Sequence, residues 1–309
     1  MKLENVQECL CGNVNVRLDM ELKDIWFNYP GTWNYVSCSK CNTIYISKRI
    51  PEEKIGHAYE SYADVNESIH KKISLKSNIK KFISMIVLRT IFLFQKNKLM
   101  LPFYMALQNL HYNFFLIENT HNKILDFGCG IGKHASKFKS LGYEVLGVEF
   151  DDKSISKASQ LIDVIHVDDL YKLKNREFDL IYLSHVIEHV YDPIGLIKFL
   201  KTILSNEGKI VMVTPNADSR LFERLKTSWR GLEPPRHIYI FSGTFFKKYS
   251  DIPNTIHFAN RNFYTNLYNS LKVKNRFKRL IVFFKYLPLY IISSFDKERR
   301  EEIIIEIKK

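Results

Sequence analysis

The sequence predicts an α/β chain whose centre is a doubly wound parallel sheet. Two observations carry that prediction. The run Ile-Leu-Asp-Phe-Gly-Cys-Gly-Ile-Gly at 124–132 is an apolar strand that reaches Asp126 and then breaks into a loop with Gly128, Gly130 and Gly132 at alternate positions. Four further apolar segments follow within about 95 residues, separated by helix-like stretches. Strands that alternate with helices in this way assemble as a parallel sheet with helices on both faces.

Each segment adds to the case. Glycine is needed where a backbone turns tightly and lets a ligand approach without a Cβ in the way. A loop of this kind after the first strand of a doubly wound sheet is a nucleotide site. The spacing is G-x-G-x-G, whereas dinucleotide sites read G-x-G-x-x-G. Asp126 stands two residues before the first glycine, where its carboxylate suits a cationic ligand and not a phosphate. Residues 133–141 read as the helix that follows. The second strand, 143–149, ends in Glu149, 23 residues after Asp126; an acid there accepts hydrogen bonds from ribose in a Rossmann-like sheet. The third, 163–169, ends in Asp168 and Asp169. The fourth, 178–184, ends in Ser184 and runs into His185, Glu188, His189, Asp192 and Pro193. The fifth, 208–216, ends in Pro215 and Asn216.

Taken together, residues 123–242 resemble the class I S-adenosylmethionine-dependent methyltransferases. The glycine run is similar to their motif I, and 185–193 to their E-H-x-x-D-P stretch. The resemblance implies S-adenosylmethionine as cofactor. It places Asp126 near the aminopropyl group, Gly128, Gly130 and Gly132 around the ligand, and Glu149 on the ribose. Asp168 or Asp169 would approach the adenine amino group, with Ser184 and His185 on the methionine side.

The 309-residue chain is 46% hydrophobic and carries a formal net charge of +13. The charge is localised. Between Ser68 and Ile117 there are eight Lys or Arg and no acid; between Ile252 and Phe295 there are seven and again none. Both stretches are also apolar and aromatic, at 82–94 and 280–292, and neither reaches the roughly 20 residues needed to span a bilayer. Basic and apolar-aromatic together is the composition of a helix lying on an anionic membrane surface. For 69–118, packing on the core is an equal alternative; the C-terminal stretch favours the membrane. The first residues carry acids and no apolar run, so we expect no signal peptide and a cytoplasmic protein, peripheral on the inner face of the membrane.

Four of the five cysteines fall in the first 41 residues, as Cys9-Leu-Cys11-Gly and Cys38-Ser-Lys-Cys41. Two close pairs can gather four thiolates around a structural zinc. Residues 14–18 and 43–47 read as short strands of a ribbon with two hairpins. Cys129, inside the glycine loop, is expected to be a packing residue. The division expected is a zinc-ribbon-like module at 1–50, a linker with basic apolar helices at 51–118, the cofactor-binding domain at 119–255 and a basic apolar helical segment at 256–309.

A cysteine-paired module, a tyrosine-bearing linker and a methyltransferase core resemble the bacterial methyltransferases of sugar and cell-surface polysaccharide pathways. In these a linker tyrosine reaches the cofactor or substrate; Tyr59 and Tyr62 match. The sugar C-methyltransferases carry a further α/β domain that the 65 or so residues after Ser242 do not provide, which favours O-methylation of a membrane-proximal saccharide or glycolipid. The core also resembles the ubiquinone-pathway O-methyltransferases. A hydroxyl acceptor calls for a base near neutrality, which histidine supplies. His189 follows the fourth strand. His237 lies in 229–239, a stretch similar to a W-x(n)-P-x-H segment over the family's substrate pocket, where Trp229 would cover the cofactor or a sugar ring and Arg236 would meet a phosphate or carboxylate. A nucleic-acid substrate is disfavoured: the fourth strand is not followed by an Asn/Asp-Pro-Pro-Tyr loop or a nucleophilic cysteine, and the basic segments are apolar rather than Arg-rich.

Overall fold

The computed structural model describes residues 2–59, 122–260 and 262–309. Tyr62 and the basic stretch at 69–118 lie outside the described residues.

In chain order the described elements begin with β1 (Glu4–Asn5), β2 (Val16–Leu22), β3 (Trp33–Cys38), β4 (Ile44–Ile46) and β5 (Lys48–Arg49). The central part follows as β6 (Lys123–Phe127), α1 (Lys133–Ser140), β7 (Glu144–Glu149), α2 (Asp152–Ala158), β8 (Asp163–His166), β9 (Phe178–Ser184), α3 (Pro193–Thr202), β10 (Leu204–Pro215) and α4 (Arg220–Leu225). The chain closes with β11 (Tyr239–Ile240), α5 (Gly243–Lys248), β12 (Thr255–Ala259), α6 (Phe263–Ser270), α7 (Arg276–Phe295) and β13 (Glu302–Lys308).

The large sheet has seven strands in the order β12-β13-β10-β9-β6-β7-β8. The five strands β8, β7, β6, β9 and β10 are parallel, and β13 is antiparallel to both β10 and β12. This is the fold class read from the sequence. The near-continuous apolar runs of β6, β9 and β10 are what a sheet covered on both faces requires. Helix starts are set by polar side chains. Asp151 accepts from Ser154 N at the head of α2, and Asp192 accepts from Gly195 N at the head of α3, with Pro193 in the first turn.

Two expectations are corrected. The segment 256–309 is not wholly helical; it also supplies β12 and β13, because Ile303, Ile304, Ile305 and Ile307 are β-branched residues that bury against β10. The N-terminal module is not a pair of hairpins. Trp33–Cys38 forms a third strand, and the small sheet runs β11-β4-β3-β2. Its edge strand β11 comes from the far side of the chain, through Tyr239↔Tyr45 and Ile240↔Ile44. Module and central domain therefore share one apolar core that extends from Cys9 to Ile307.

Candidate active site

Parallel strands bring their carboxyl ends to one edge, and β6 lies at the switch point, with β7 on one side and β9 on the other. The acids expected from the sequence gather along this edge. Asp126, one residue from the end of β6, is buried, and its Oδ2 has no hydrogen-bond partner. Burial pushes its carboxyl up to about 7; the Ala135 backbone N–H opposes the rise and the charge of Glu149 adds to it. An unsatisfied buried carboxylate oxygen is costly unless a ligand donates to it. The loop beside it is built for close approach. Gly128 (φ +72°) faces Val186, whose Cγ2 would lie 2.4 Å from an added Cβ, while Gly130 (φ +53°) has nothing within 4 Å of where a Cβ would stand. Gly132, also left-handed, leads directly into α1. Glu149 locks the loop: its Oε2 accepts from Gly130 N at 2.7 Å, and Oε1 accepts from Phe150 N at 2.9 Å. Oε1 also accepts from Asp151 N at 3.3 Å, so Oε2 is the oxygen that keeps a lone pair for a hydroxyl donor.

Asp168 and Asp169 occupy the turn at Val167–Leu173 after β8. Asp168 is largely exposed beside His166, 3.3 Å away. Asp169 pairs with Lys172 at 2.9 Å, which holds its carboxyl below its usual value.

Ser184 ends β9, and His185 follows in a left-handed conformation (φ +57°). Both ring nitrogens of His185 face carboxylates: Nε2 lies 3.0 Å from Glu302 Oε1 and Nδ1 lies 3.3 Å from Glu188 Oε1. Burial alone would lower its pKa, but the two acids prevail and raise it to about 9. Glu302 was missed from sequence. It stands at the head of β13, opposite Pro215, and so reaches the edge where the parallel strands end. The readable signal was an adjacent acid pair, Glu301-Glu302, opening a run of isoleucines.

His189 and His237 converge. Their ring centroids are 4.6 Å apart, in an edge-on arrangement. Nδ1 of His189 lies 2.9 Å from the Arg236 carbonyl and 3.0 Å from Tyr59 Oη; Nδ1 of His237 lies 2.7 Å from the Gly231 carbonyl. A carbonyl only accepts, so each Nδ1 carries the proton and each Nε2 is left as an acceptor. Burial lowers the pKa of both rings, that of His237 strongly. Burial thus favours the neutral form of both rings. Tyr59 also packs edge-on against Phe150, 5.0 Å between centroids, and so joins the Glu149 corner to the histidines. The Glu188 carboxylate, His189 and His237 each bring one ligand atom within 4.8 Å of the others, a grouping that suits a divalent cation.

Two expected substrate contacts take other roles. Trp229 is fully buried and donates its indole N–H to Glu301 Oε1 at 2.8 Å, so its ring packs the core, beside Phe222, and is not open to a sugar. Arg236 does meet carboxylates, but they belong to this chain: Asp24 Oδ2 at 2.8 Å and Glu233 Oε1 at 3.2 Å. It also donates to the Ala58 carbonyl at 3.0 Å. Its guanidinium is fully buried and ties module, linker and core together.

The four N-terminal cysteines converge as read. Sγ atoms of Cys9 and Cys41 are 3.5 Å apart, as are those of Cys11 and Cys38, and all four lie within 4.8 Å of one another. Tetrahedral thiolates at about 2.3 Å from zinc stand roughly 3.8 Å apart, so the set fits that ion. Asn13 Nδ2 and Lys40 N donate toward Cys38 Sγ, the second layer such a site needs. Cys129 is buried against Gly147, where an added Cβ would lie 2.7 Å from its sulfur; it is the packing residue expected.

Residues 102–250, just under half of the chain, match the family described as a methyltransferase domain. Among curated relatives, a ubiquinone biosynthesis O-methyltransferase from Acinetobacter baylyi is 26% identical over 110 residues, covering 32% of this chain and 46% of that protein. Another of the same name from Bradyrhizobium diazoefficiens is 29% identical over 107 residues, 32% and 42% of the two chains. The chain thus spans less than half the length of these relatives. Among solved structures, a SAM-dependent methyltransferase from Archaeoglobus fulgidus is 19% identical, with a TM-score of 0.46 over 64% of this chain and 91% of that one.

Proposed function

We propose that this chain, with its methyltransferase domain, is an S-adenosylmethionine-dependent O-methyltransferase whose acceptor is a saccharide hydroxyl on a lipid or polymer. The observation that carries the reading is the pair of histidines, His189 and His237, 4.6 Å apart and beside Tyr59 on the sheet edge that also holds Asp126 and Glu149. When bound, S-adenosylmethionine supplies an electrophilic methyl on a sulfonium. The protein's part is to orient the acceptor and take its proton. Asp126 Oδ2 suits the cofactor's ammonium, Glu149 its ribose, and the bare backbone at Gly130 close approach. His189, held by Arg236 and Tyr59 through Nδ1, would offer Nε2 to take the acceptor hydroxyl's proton.

Oxygen as the acceptor atom is supported by the names of the curated relatives; the saccharide rests on the likeness of module and linker to sugar methyltransferases. The relatives' names also favour a quinone or lipid hydroxyl as a second reading. Release of S-adenosylhomocysteine with glycolipid acceptors, run beside polyprenylated phenols, separates the two. The Glu188–His189–His237 grouping offers a different way to activate the hydroxyl, by a bound cation; turnover abolished by chelator and restored by one metal would select it over base catalysis.

Two outcomes are expected. Asp126→Asn weakens S-adenosylmethionine binding by about 10- to 100-fold, the worth of a charge-assisted hydrogen bond. Because the wild-type carboxyl sits near 7 and a cationic ligand needs it ionised, affinity should increase as pH rises through that value, with proton release visible in calorimetry below it; the variant should lose this dependence. Separately, His189→Ala lowers turnover by about 10²-fold or more with cofactor affinity retained. Since burial lowers the His189 pKa, the acidic limb of the rate profile should fall below pH 6.5, and an unchanged rate in the variant would remove the histidine from the reaction.

A further inference from the structure

Helix α7 is 20 residues long and presents two unlike faces. One is fixed to the protein. Tyr286 and Ser293 are buried, and Ser293 accepts from Asn260 Nδ2 at 2.8 Å. Phe283 stacks on Tyr264 at 4.7 Å, and Tyr290 packs against Phe263 at 5.3 Å. These contacts with α6 set the rotation of the helix. The opposite face is therefore turned outward, and it is apolar: Phe277, Leu280, Ile281, Phe284, Ile291, Ile292 and Phe295 are 45–85% exposed. Their spacing of three and four residues, with exposed Pro288 among them, traces one stripe along the whole helix, about 30 Å. Exposed Arg276, Lys278 and Lys285 flank it on both sides, and no acid occurs between Ile252 and Phe295.

We propose that α7 is a membrane anchor that lays this stripe into the headgroup boundary of a bilayer rich in anionic lipid. An exposed apolar stripe this long is unusual on a soluble surface. Its cationic borders match an anionic lipid surface and disfavour an acid-free copy of the same helix. Among the described residues no helix is long and apolar enough to cross a membrane, so the geometry is that of a helix lying on the surface. Its position gives the anchor a use. α6 follows β12 and α7 leads into β13, both at the edge where β10 ends, opposite Glu302. The C-terminal end of α7 thus leads to the same edge of the sheet as the histidines.

The test uses the full chain in flotation with phosphatidylcholine vesicles, with and without phosphatidylglycerol. The wild type should float with the anionic vesicles only. Phe277→Asp, Leu280→Asp and Phe284→Asp combined should cut the bound fraction by about tenfold or more, and Lys278→Glu with Lys285→Glu should abolish the preference for phosphatidylglycerol. Both variants should keep the wild-type melting transition, since the changed residues are exposed. A Phe284→Trp variant should shift its emission to the blue on adding anionic vesicles. The proposal is overturned if the wild type fails to float, if the triple variant floats equally well, if the Phe284→Trp emission is already blue without lipid because the chain covers the stripe, or if the triple variant converts a wild-type dimer to monomer, which would make a second copy the occupant.

Discussion

Replacing Arg236 with alanine should lower the unfolding free energy by about 3–5 kcal/mol, the cost of removing one partner from a buried charge network. Arg236 is fully buried between Asp24 and Glu233, and its guanidinium lies 4.2 Å from the centroid of Phe27. Asp24 is itself committed to the loop after β2, accepting from Trp26 N, Phe27 N and Tyr29 N at 3.0–3.1 Å. Loss of the guanidinium would leave this carboxylate with backbone donors but no counter-charge in an apolar setting. Glu233 would keep Arg230, which donates to its other oxygen. The readout is thermal unfolding, with a downward shift on the order of 10 °C. A residue that bound substrate phosphate would behave differently: the melting transition would hold and KM would rise. Asp24→Asn should recover part of the loss in the Arg236→Ala background, because an amide needs no counter-ion; additive effects in that double-mutant cycle would refute the coupling.

The same arginine marks where sequence reading reached its limit. The order of strands, the glycine loop and the acids at strand ends were legible because they depend on local pattern and chain order: an apolar run, a bend that only glycine tolerates, a carboxylate at a fixed register. The thiolate pairs were legible for the same reason. What one stretch does to a distant one was not. That Arg236 finds Asp24, 212 residues away, or that His185 finds Glu302, 117 residues away, follows from β11 joining the small sheet and β13 inserting beside β10. Neither pairing has a local signature. Trp229 was misread for a related reason. A tryptophan in a loop with two prolines and a histidine resembles a substrate lid, and only the position of Glu301 shows that its N–H is satisfied inside the core.

Metal removal should have the larger effect, and it should reach the candidate catalytic residues. Zinc bound by four thiolates is worth on the order of 10 kcal/mol or more to a small domain that cannot hold its ligands together alone. Cys38 ends β3 and Cys41 opens the turn into β4; Cys41 also accepts, through its carbonyl, a hydrogen bond from Ser242 Oγ. β4 in turn pairs with β11, which starts two residues after His237, and Ile46 N donates to the Ile238 carbonyl at 3.1 Å. Tyr35 Oη, on β3, donates to the His237 carbonyl at 2.6 Å. The cysteine site therefore clamps the strand that directly follows one of the two histidines. Asp126 and Glu149 depend on β6, β7 and the glycine loop, which make none of these contacts. Cys38→Ser with Cys41→Ser, or treatment with a strong chelator, should release one zinc per chain, lower the melting transition and reduce turnover, while S-adenosylmethionine affinity falls much less. Metal-free protein that retains its melting transition would show the four cysteines to be packing residues, and equal loss of cofactor affinity and turnover would show that the clamp extends through the whole sheet.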